Sequence, residues 1–308
     1  MREPMKILVI GGEGQLARSL VAVAGRKEGV ELLALGRPAL DLLDRDSLAR
    51  AIDANAPALV INAAAYTAVD RAEGEPDMAN AINRDGAEAV AEITAQRKLP
   101  LIHISTDYVF DGGKDDAFSE IDPPNPQTVY GRSKLAGETR VAAANPQHVI
   151  LRTSWLHSPY GHNFVKTMLR LAGERPELRV VADQYGNPTY APDLASAILA
   201  IARQLVRDDG ADKPWGLYHA AGEGATSWHG FAEFIVRTAA QHGRRSVPVR
   251  AITTSEYPTP ARRPANSRLD CSKLATVFGL RLPHWADGAE RCIAQLCAGT
   301  DARQRCEA

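Results

Sequence analysis

Three things are missing from this chain of 308 residues, and each absence narrows what the protein can be. Net charge is nearly absent: 36 Lys and Arg against 37 Asp and Glu leave a formal charge of -1. No global field therefore draws the chain to nucleic acid or to an acidic membrane. A cysteine framework is absent too. Cys271, Cys292, Cys297 and Cys306 all lie near the C-terminus, in a spacing that fits no common zinc pattern and contains no Cys-x-x-Cys. They read as reduced thiols. Finally, no stretch approaches the roughly 20 apolar residues of a membrane span. The early run KILVI is too short for a signal-peptide core and is followed at once by GGEGQ. What is left is an ordinary globular composition, sized for one large domain or two moderate ones, with the cytoplasm as the expected compartment.

The first half alternates short apolar runs with helical patterns. KILVI, VELLALG, ALVINAA, LPLIHIST and HVILRTSW read as five strands. None of them alternates apolar with polar, as expected of a parallel sheet covered on both faces. Helices are expected over about Gln15–Arg26, after Asp44 or Asp46 as a cap, over Pro76–Gln96, and from Tyr130 onward. The order implies an α/β, Rossmann-like doubly wound parallel sheet. Beyond Trp155, loops rich in Pro and Gly break the rhythm, and helical patterns remain at Pro192–Arg207 and Ser227–Gln241. We expect a dinucleotide-binding domain over 1–155 and a smaller C-terminal α/β substrate lobe over 156–308, with later segments free to rejoin the main sheet.

GGEGQLA opens directly after the first strand, with Gly11 and Gly14 as Gly-x-x-Gly and Ala17 at the place of a frequent third glycine. Glycine there lets the backbone turn sharply and approach a pyrophosphate, and the next helix points its N–H groups at the anion. The second strand closes on Leu35-Gly36-Arg37, with no acid for a ribose 2′-hydroxyl. Arg37 leans toward the 2′-phosphate of NADPH; an exposed loop arginine is the alternative. Asp41 and Leu42 follow, within reach of an adenine.

Three segments then converge on the C-terminal edge of the sheet: NAAAYT (Asn62–Thr67), STDYVF (Ser105–Phe110) and VYGRSK, which begins at Val129. Reducing a ketone needs a hydride at carbon and a proton at oxygen. Tyr130 is the candidate acid and Thr106 the group that orients the carbonyl. A tyrosinate left behind is costly at neutral pH. Bringing its pKa toward 7 takes about 4 kcal/mol. A cation about 4 Å away at an effective dielectric near 20 supplies roughly that much. Lys134, one helical turn on, is the expected cation, with Leu135 to Glu138 left as packing and solvent face.

These segments resemble the extended short-chain dehydrogenase/reductase superfamily. Together with RTSWLHSPYGHNFVKTM, DQYGNPT and TPARRPANSRLD, they resemble the dTDP-4-dehydrorhamnose reductase family over nearly the whole chain. The resemblance implies a soluble oxidoreductase that reduces the 4-keto group of dTDP-4-dehydro-L-rhamnose with NADPH or NADH, without nucleic acid or membrane as partner. It implies a sugar site of Thr106, Asp107, Tyr130 and Trp155. Lys134 would also grip the nicotinamide ribose. Gly14, Gln15 and Leu16 would meet the cofactor phosphates. Asp41, Leu42, Ala63, Ala64, Ala65 and Tyr66 would line its adenosine and middle; Tyr66 stands where the family motif has a histidine. Arg262, Arg263 and Arg268 are expected to meet a diphosphate or the substrate loop through their forked donors, a solvated basic loop being the alternative. Some members form a homodimer with Mg2+ held by glutamates, for which Glu290 alone stands out here. Another nucleotide-sugar reductase or epimerase, or a non-catalytic regulatory subunit of the same fold, is the competing expectation. The absence of a Glu beside Asp107 argues against a dehydratase.

Overall fold

The apolar runs lie side by side. In the computed structural model, which describes residues 3–207 and 212–306, β1 (Met5–Ile10), β2 (Val30–Leu35), β3 (Leu59–Asn62), β4 (Leu101–Thr106) and β5 (His148–Thr153) form a parallel sheet. Between them run α1 (Gln15–Ala24), α2 (Arg45–Asn55), the short α3 (Val69–Ala72), α4 (Pro76–Asn80), α5 (Ala87–Gln96) and α6 (Val129–Ala144). Asp44 caps α2, its carboxylate accepting from the amides of Asp46 and Ser47.

The second half holds β6 (Leu156–His157), α7 (Phe164–Glu174), β7 (Leu178–Val181), β8 (Tyr185–Gly186), β9 (Thr189–Tyr190) and α8 (Ala191–Val206). Then come β10 (Gly216–His219), β11 (Thr226–Ser227), α9 (Trp228–Gln241), β12 (Val249–Ile252), α10 (Ser272–Phe278) and α11 (Trp285–Cys306). The strand order is β10-β5-β4-β3-β1-β2, so β10 returns from the second half to the sheet edge beside β5. The other late strands make two-stranded pairs, β7 with β12, β8 with β11 and β6 with β9.

One face of the sheet packs on α1, α8 and α10 through residues such as Leu20, Ile198 and Phe278. The other packs on α2, α5 and α6 through Ile52, Val90 and Val141. A separate core of α7, α9 and α11 gathers Val165, Phe231 and Ile293. Cys292 and Cys297 are free and buried there, Cys271 is free and half-buried, and the side chain of Cys306 lies outside the described residues. Among the described residues, no helix is long and apolar enough to cross a membrane.

Two elements depart from expectation. The helix expected over Pro76–Gln96 contains a π-helical segment, Ala81–Gly86, between α4 and α5. A π turn re-aims the residues it carries. Here Asn83 accepts from the Tyr66 amide at 2.8 Å and donates to the Tyr66 carbonyl at 3.1 Å and to Ser133 Oγ at 2.9 Å.

The second departure is α6. Its inward face carries Tyr130, Lys134 and Glu138, so Glu138 belongs to the interior and not to the solvent face. Glu138 accepts from Arg152 of β5 at 2.9 and 2.6 Å and from Ser105 Oγ of β4 at 2.5 Å. The helix also packs closely on its other neighbours: a Cβ at Gly137 would stand 2.1 Å from the Asn83 carbonyl oxygen, and one at Gly131 2.2 Å from that of Tyr108. Removing one partner of a buried ion pair leaves the other charge uncompensated, at a cost of roughly 3–5 kcal/mol. Glu138→Gln should therefore lower the urea-unfolding free energy by about 3 kcal/mol.

Candidate active site

The strand order reverses beside β1, whose neighbours are β2 and β3, and the loops at the C-terminal ends of β1 and β3 meet there. Gly11 has φ 106, and a Cβ on it would come 2.8 Å from the Ala64 amide nitrogen, so sterics alone demand glycine. Gly14 differs. Its φ is -68, and a Cβ there would meet only the Gly11 carbonyl oxygen at 3.6 Å. Nothing in the fold requires glycine at 14. Gly14 also starts α1 without a side-chain cap, as the residue before α8 does that helix, whereas α2, α6, α7 and α9 are capped by Asp44, Thr128, Asn163 and Ser227. The first-turn N–H groups of α1 are thus laid out for an anion, which fits a cofactor pyrophosphate.

Around this turn, Leu16 is buried in the core, and Gln15 uses its amide oxygen to accept from Ser158 Oγ and Asn163 Nδ2, both at 2.9 Å. Arg37 is exposed just past β2. The Asp41 carboxylate accepts from the Leu43 amide at 3.0 Å, and Leu42 is buried against Gly86. Ala63, Ala64 and Ala65 lead from β3 to Tyr66, whose hydroxyl donates to Glu75 at 2.6 Å.

Thr106, Asp107 and Tyr130 lie together, all buried. Thr106 Oγ donates to Asp107 Oδ1 at 2.9 Å and accepts from the Tyr108 amide at 3.2 Å. Asp107 is 2% exposed and its Oδ2 has no partner. Burial pushes its pKa up to about 6, against the opposing effect of the Ser267 and Thr106 hydroxyls. Burial also pushes Tyr130 up to about 12; the Thr106 hydroxyl acts the other way, and the Asp107 charge adds to the rise. The expected downward pull of Lys134 on Tyr130 does not govern this arrangement. The Lys134 ammonium donates to the Ile104 carbonyl at 2.6 Å and stands 3.5 Å from His103 Nε2. Burial brings Lys134 itself down to about 8, against the Glu138 charge. Tyr130 is consequently held protonated at neutral pH, the state that a proton donor needs.

Trp155 adopts a left-handed φ of 44 and stacks face to face on Trp228, with ring centroids 3.4 Å apart. The three arginines do not share one anion site in this arrangement. Arg263 holds Asp70 through a fork at 3.0 and 2.9 Å, Arg268 engages Asn266 and the Asp115 carbonyl, and Arg262 is exposed. Among the described residues, no group of three His, Cys, Asp or Glu side chains is placed to hold a metal.

Sequence reading passed over Asn62, Asn83, His103, Glu138, Arg152, Asp70 and Trp228. One signal was available. His103 and Ser105 sit two apart in β4 and so share a face; Lys134 and Glu138 sit four apart on α6 and share another.

A glycine turn into an uncapped helix at the switch point, with a buried Tyr and Lys one turn apart beside a Thr, defines an enzyme of short-chain dehydrogenase/reductase type. The chain belongs to the family described as RmlD substrate binding domain, whose pattern matches residues 5–298. It is 50% identical over 299 residues to a dTDP-4-dehydrorhamnose reductase of Sinorhizobium fredii, covering 97% of this chain and 100% of that one. A protein of the same description from Aggregatibacter actinomycetemcomitans is 45% identical over 282 residues, 91% of this chain and 95% of its own. The crystal structure of dTDP-4-dehydrorhamnose reductase from Bacillus anthracis in complex with NADP superposes with a TM-score of 0.88 at 35% identity, covering 95% of this chain and 99% of that one. The protein is accordingly an oxidoreductase that uses a nicotinamide cofactor.

Two predictions follow from this geometry. Gly14→Ala should fold with nearly unchanged thermal stability yet raise the NADPH dissociation constant on the order of tenfold, read by fluorescence titration. For Asp107, a raised folded-state pKa means that its contribution to stability is full below the ordinary carboxylate pKa and lost as pH rises through about 6. Asp107→Asn should therefore stabilise the protein by about 2–3 kcal/mol at pH near 7.5. The gain should vanish near pH 4, which denaturant melts at the two pH values will check.

Proposed function

We propose that this chain reduces the 4-keto group of dTDP-4-dehydro-L-rhamnose to give dTDP-L-rhamnose, by hydride transfer from NADPH or NADH, with Tyr130 as proton donor. The observation that carries this reading is the buried trio of Tyr130, Thr106 and Asp107 at the sheet edge beside the Gly14 turn, in a chain half identical to a protein of that description. A bound nicotinamide cofactor supplies the hydride. Tyr130, kept protonated by burial, delivers the proton to the alkoxide oxygen as charge develops there. Thr106 orients that oxygen. The unpartnered Oδ2 of Asp107 is available to a sugar hydroxyl, with Trp155 as the flat wall beside it.

In this reading residues 1–155 carry the cofactor and 156–308 mainly the nucleotide sugar, with β10 and α8 packed back on the cofactor side. Arg37, exposed at the end of β2, favours NADPH through a 2′-phosphate. Arg262, also exposed, is the arginine of the late loop open to a substrate diphosphate, while Arg263 and Arg268 stiffen the loop that presents it. A freely exchanging reduced cofactor points to the cytoplasm.

The test is a turnover assay on the dTDP-keto-sugar with each cofactor in parallel, the product identified by mass and NMR. Tyr130→Phe should cut turnover by about 10²-fold or more while cofactor affinity stays within about twofold. Near-wild-type turnover in that variant would remove Tyr130 from the proton-donor role.

A further inference from the structure

His103 is 1% exposed in the middle of β4, where an apolar residue would be expected. Its strand neighbour in register is Asn62 of β3, equally buried. The Asn62 Oδ1 accepts from the Ala64 amide at 3.2 Å, which fixes the orientation of the side-chain amide. Asn62 Nδ2 therefore faces His103 Nδ1, 3.2 Å away, and Nδ1 must be the acceptor. In a neutral imidazole the proton then sits on Nε2. That N–H points at Lys134 Nζ, 3.5 Å away.

Two donors face each other when Lys134 is an ammonium. When Lys134 is an amine, it keeps its bond to the Ile104 carbonyl at 2.6 Å and turns its lone pair to the His103 N–H. We propose that Asn62 and His103 act as positioning residues for Lys134: Asn62 locks the imidazole as the Nε2–H tautomer, and that N–H sets the charge state of the lysine. The proposal rests on Lys134 belonging to the reductase site.

The surrounding groups agree in direction. The imidazole is pushed well below the ordinary histidine range by burial, then by the charges of Lys134 on α6 and His148 on β5, so it stays neutral. Lys134 is lowered to about 8, by burial first, against Glu138 on its own helix. β3 brings the uncharged Asn62 to this cluster. The chain of contacts runs from the Ala64 amide, in the loop expected along the cofactor, through Asn62 and His103 to Lys134. An arrangement on β3 is thereby felt at the lysine without any direct contact between them.

The experiment is NMR on the intact, substrate-free protein labelled with 15N in the histidine rings and 13C at lysine Cε. His103 is identified by its loss in His103→Phe, and Lys134 by its loss in Lys134→Arg. We expect an Nε2-protonated, non-titrating His103 across neutral pH. The Lys134 midpoint should rise by about one pH unit in His103→Phe, because the amine loses its partner and the ammonium its opposing donor. Asn62→Asp, whose carboxylate can only accept, should transfer the ring proton to Nδ1 and also raise the Lys134 midpoint. An Nδ1-protonated or titrating His103 in the wild type overturns the proposal. So does a Lys134 midpoint that stays put in His103→Phe or, should that variant not fold, in Asn62→Asp. None of these readouts needs turnover, so failure of the reductase assignment would show separately, in the assay.

Discussion

The buried charges on one face of α6 set the terms for everything around them. A lysine and a glutamate one turn apart cannot both enter a protein interior unless the sheet beneath answers each. β5 answers Glu138 with the bidentate Arg152, and β4 adds the Ser105 hydroxyl. β4 answers Lys134 with the Ile104 backbone carbonyl. Both answers require α6 to lie close to the strands; Gly131 lets its first turn meet the Tyr108 carbonyl just past β4, and Gly137 lets it meet the π-helical segment at Asn83. Tyr130 is carried along on the same face, one turn before Lys134. The position of the candidate acid is thus a consequence of an electrostatic problem solved below it.

The sheet was legible in the sequence because parallel strands covered on both faces are unbroken apolar runs. The glycine turn was legible because Gly-x-x-Gly directly after a first strand is a local pattern, and the candidates Tyr130, Lys134 and Thr106 because their chemistry has a recognisable spacing. What escaped depends on partners remote in sequence. Asp70 meets Arg263 across 193 positions and Asn83 meets Ser133 across 50, so no local pattern marks either. Glu138 in a helix of low amphipathicity looks like solvent face, since periodicity weighs apolar residues and this helix buries polar ones. The π segment has no compositional signature at all. The electrostatics also inverted. A reading by spacing paired Lys134 with Tyr130 as charge and counter-charge, but burial dominates both groups and drives their pKa values apart, Tyr130 up to about 12 and Lys134 down to about 8.

The late arginines show how a charged loop can be mostly framework. Arg263 closes a fork on Asp70 at the start of the segment after β3, and Arg268 buttresses its own loop through Asn266. The Arg263 fork and the Ala261 amide tie this loop to Asp70 on α3, which packs in one apolar cluster with Tyr130. A loop held in this way offers a fixed surface to a ligand at a lower ordering cost.

Gln15 has a wider reach than its place in the phosphate turn suggests. Its amide oxygen is gripped by Ser158 and Asn163, from the stretch that opens the second half of the chain, and Arg18 one turn on covers the ring of Tyr160. The first turn of α1 is thereby shaped by the same segment that leads into α7. Thermodynamic reciprocity then applies. Whatever that segment contributes to holding a dinucleotide at the turn, the dinucleotide returns as order in the segment.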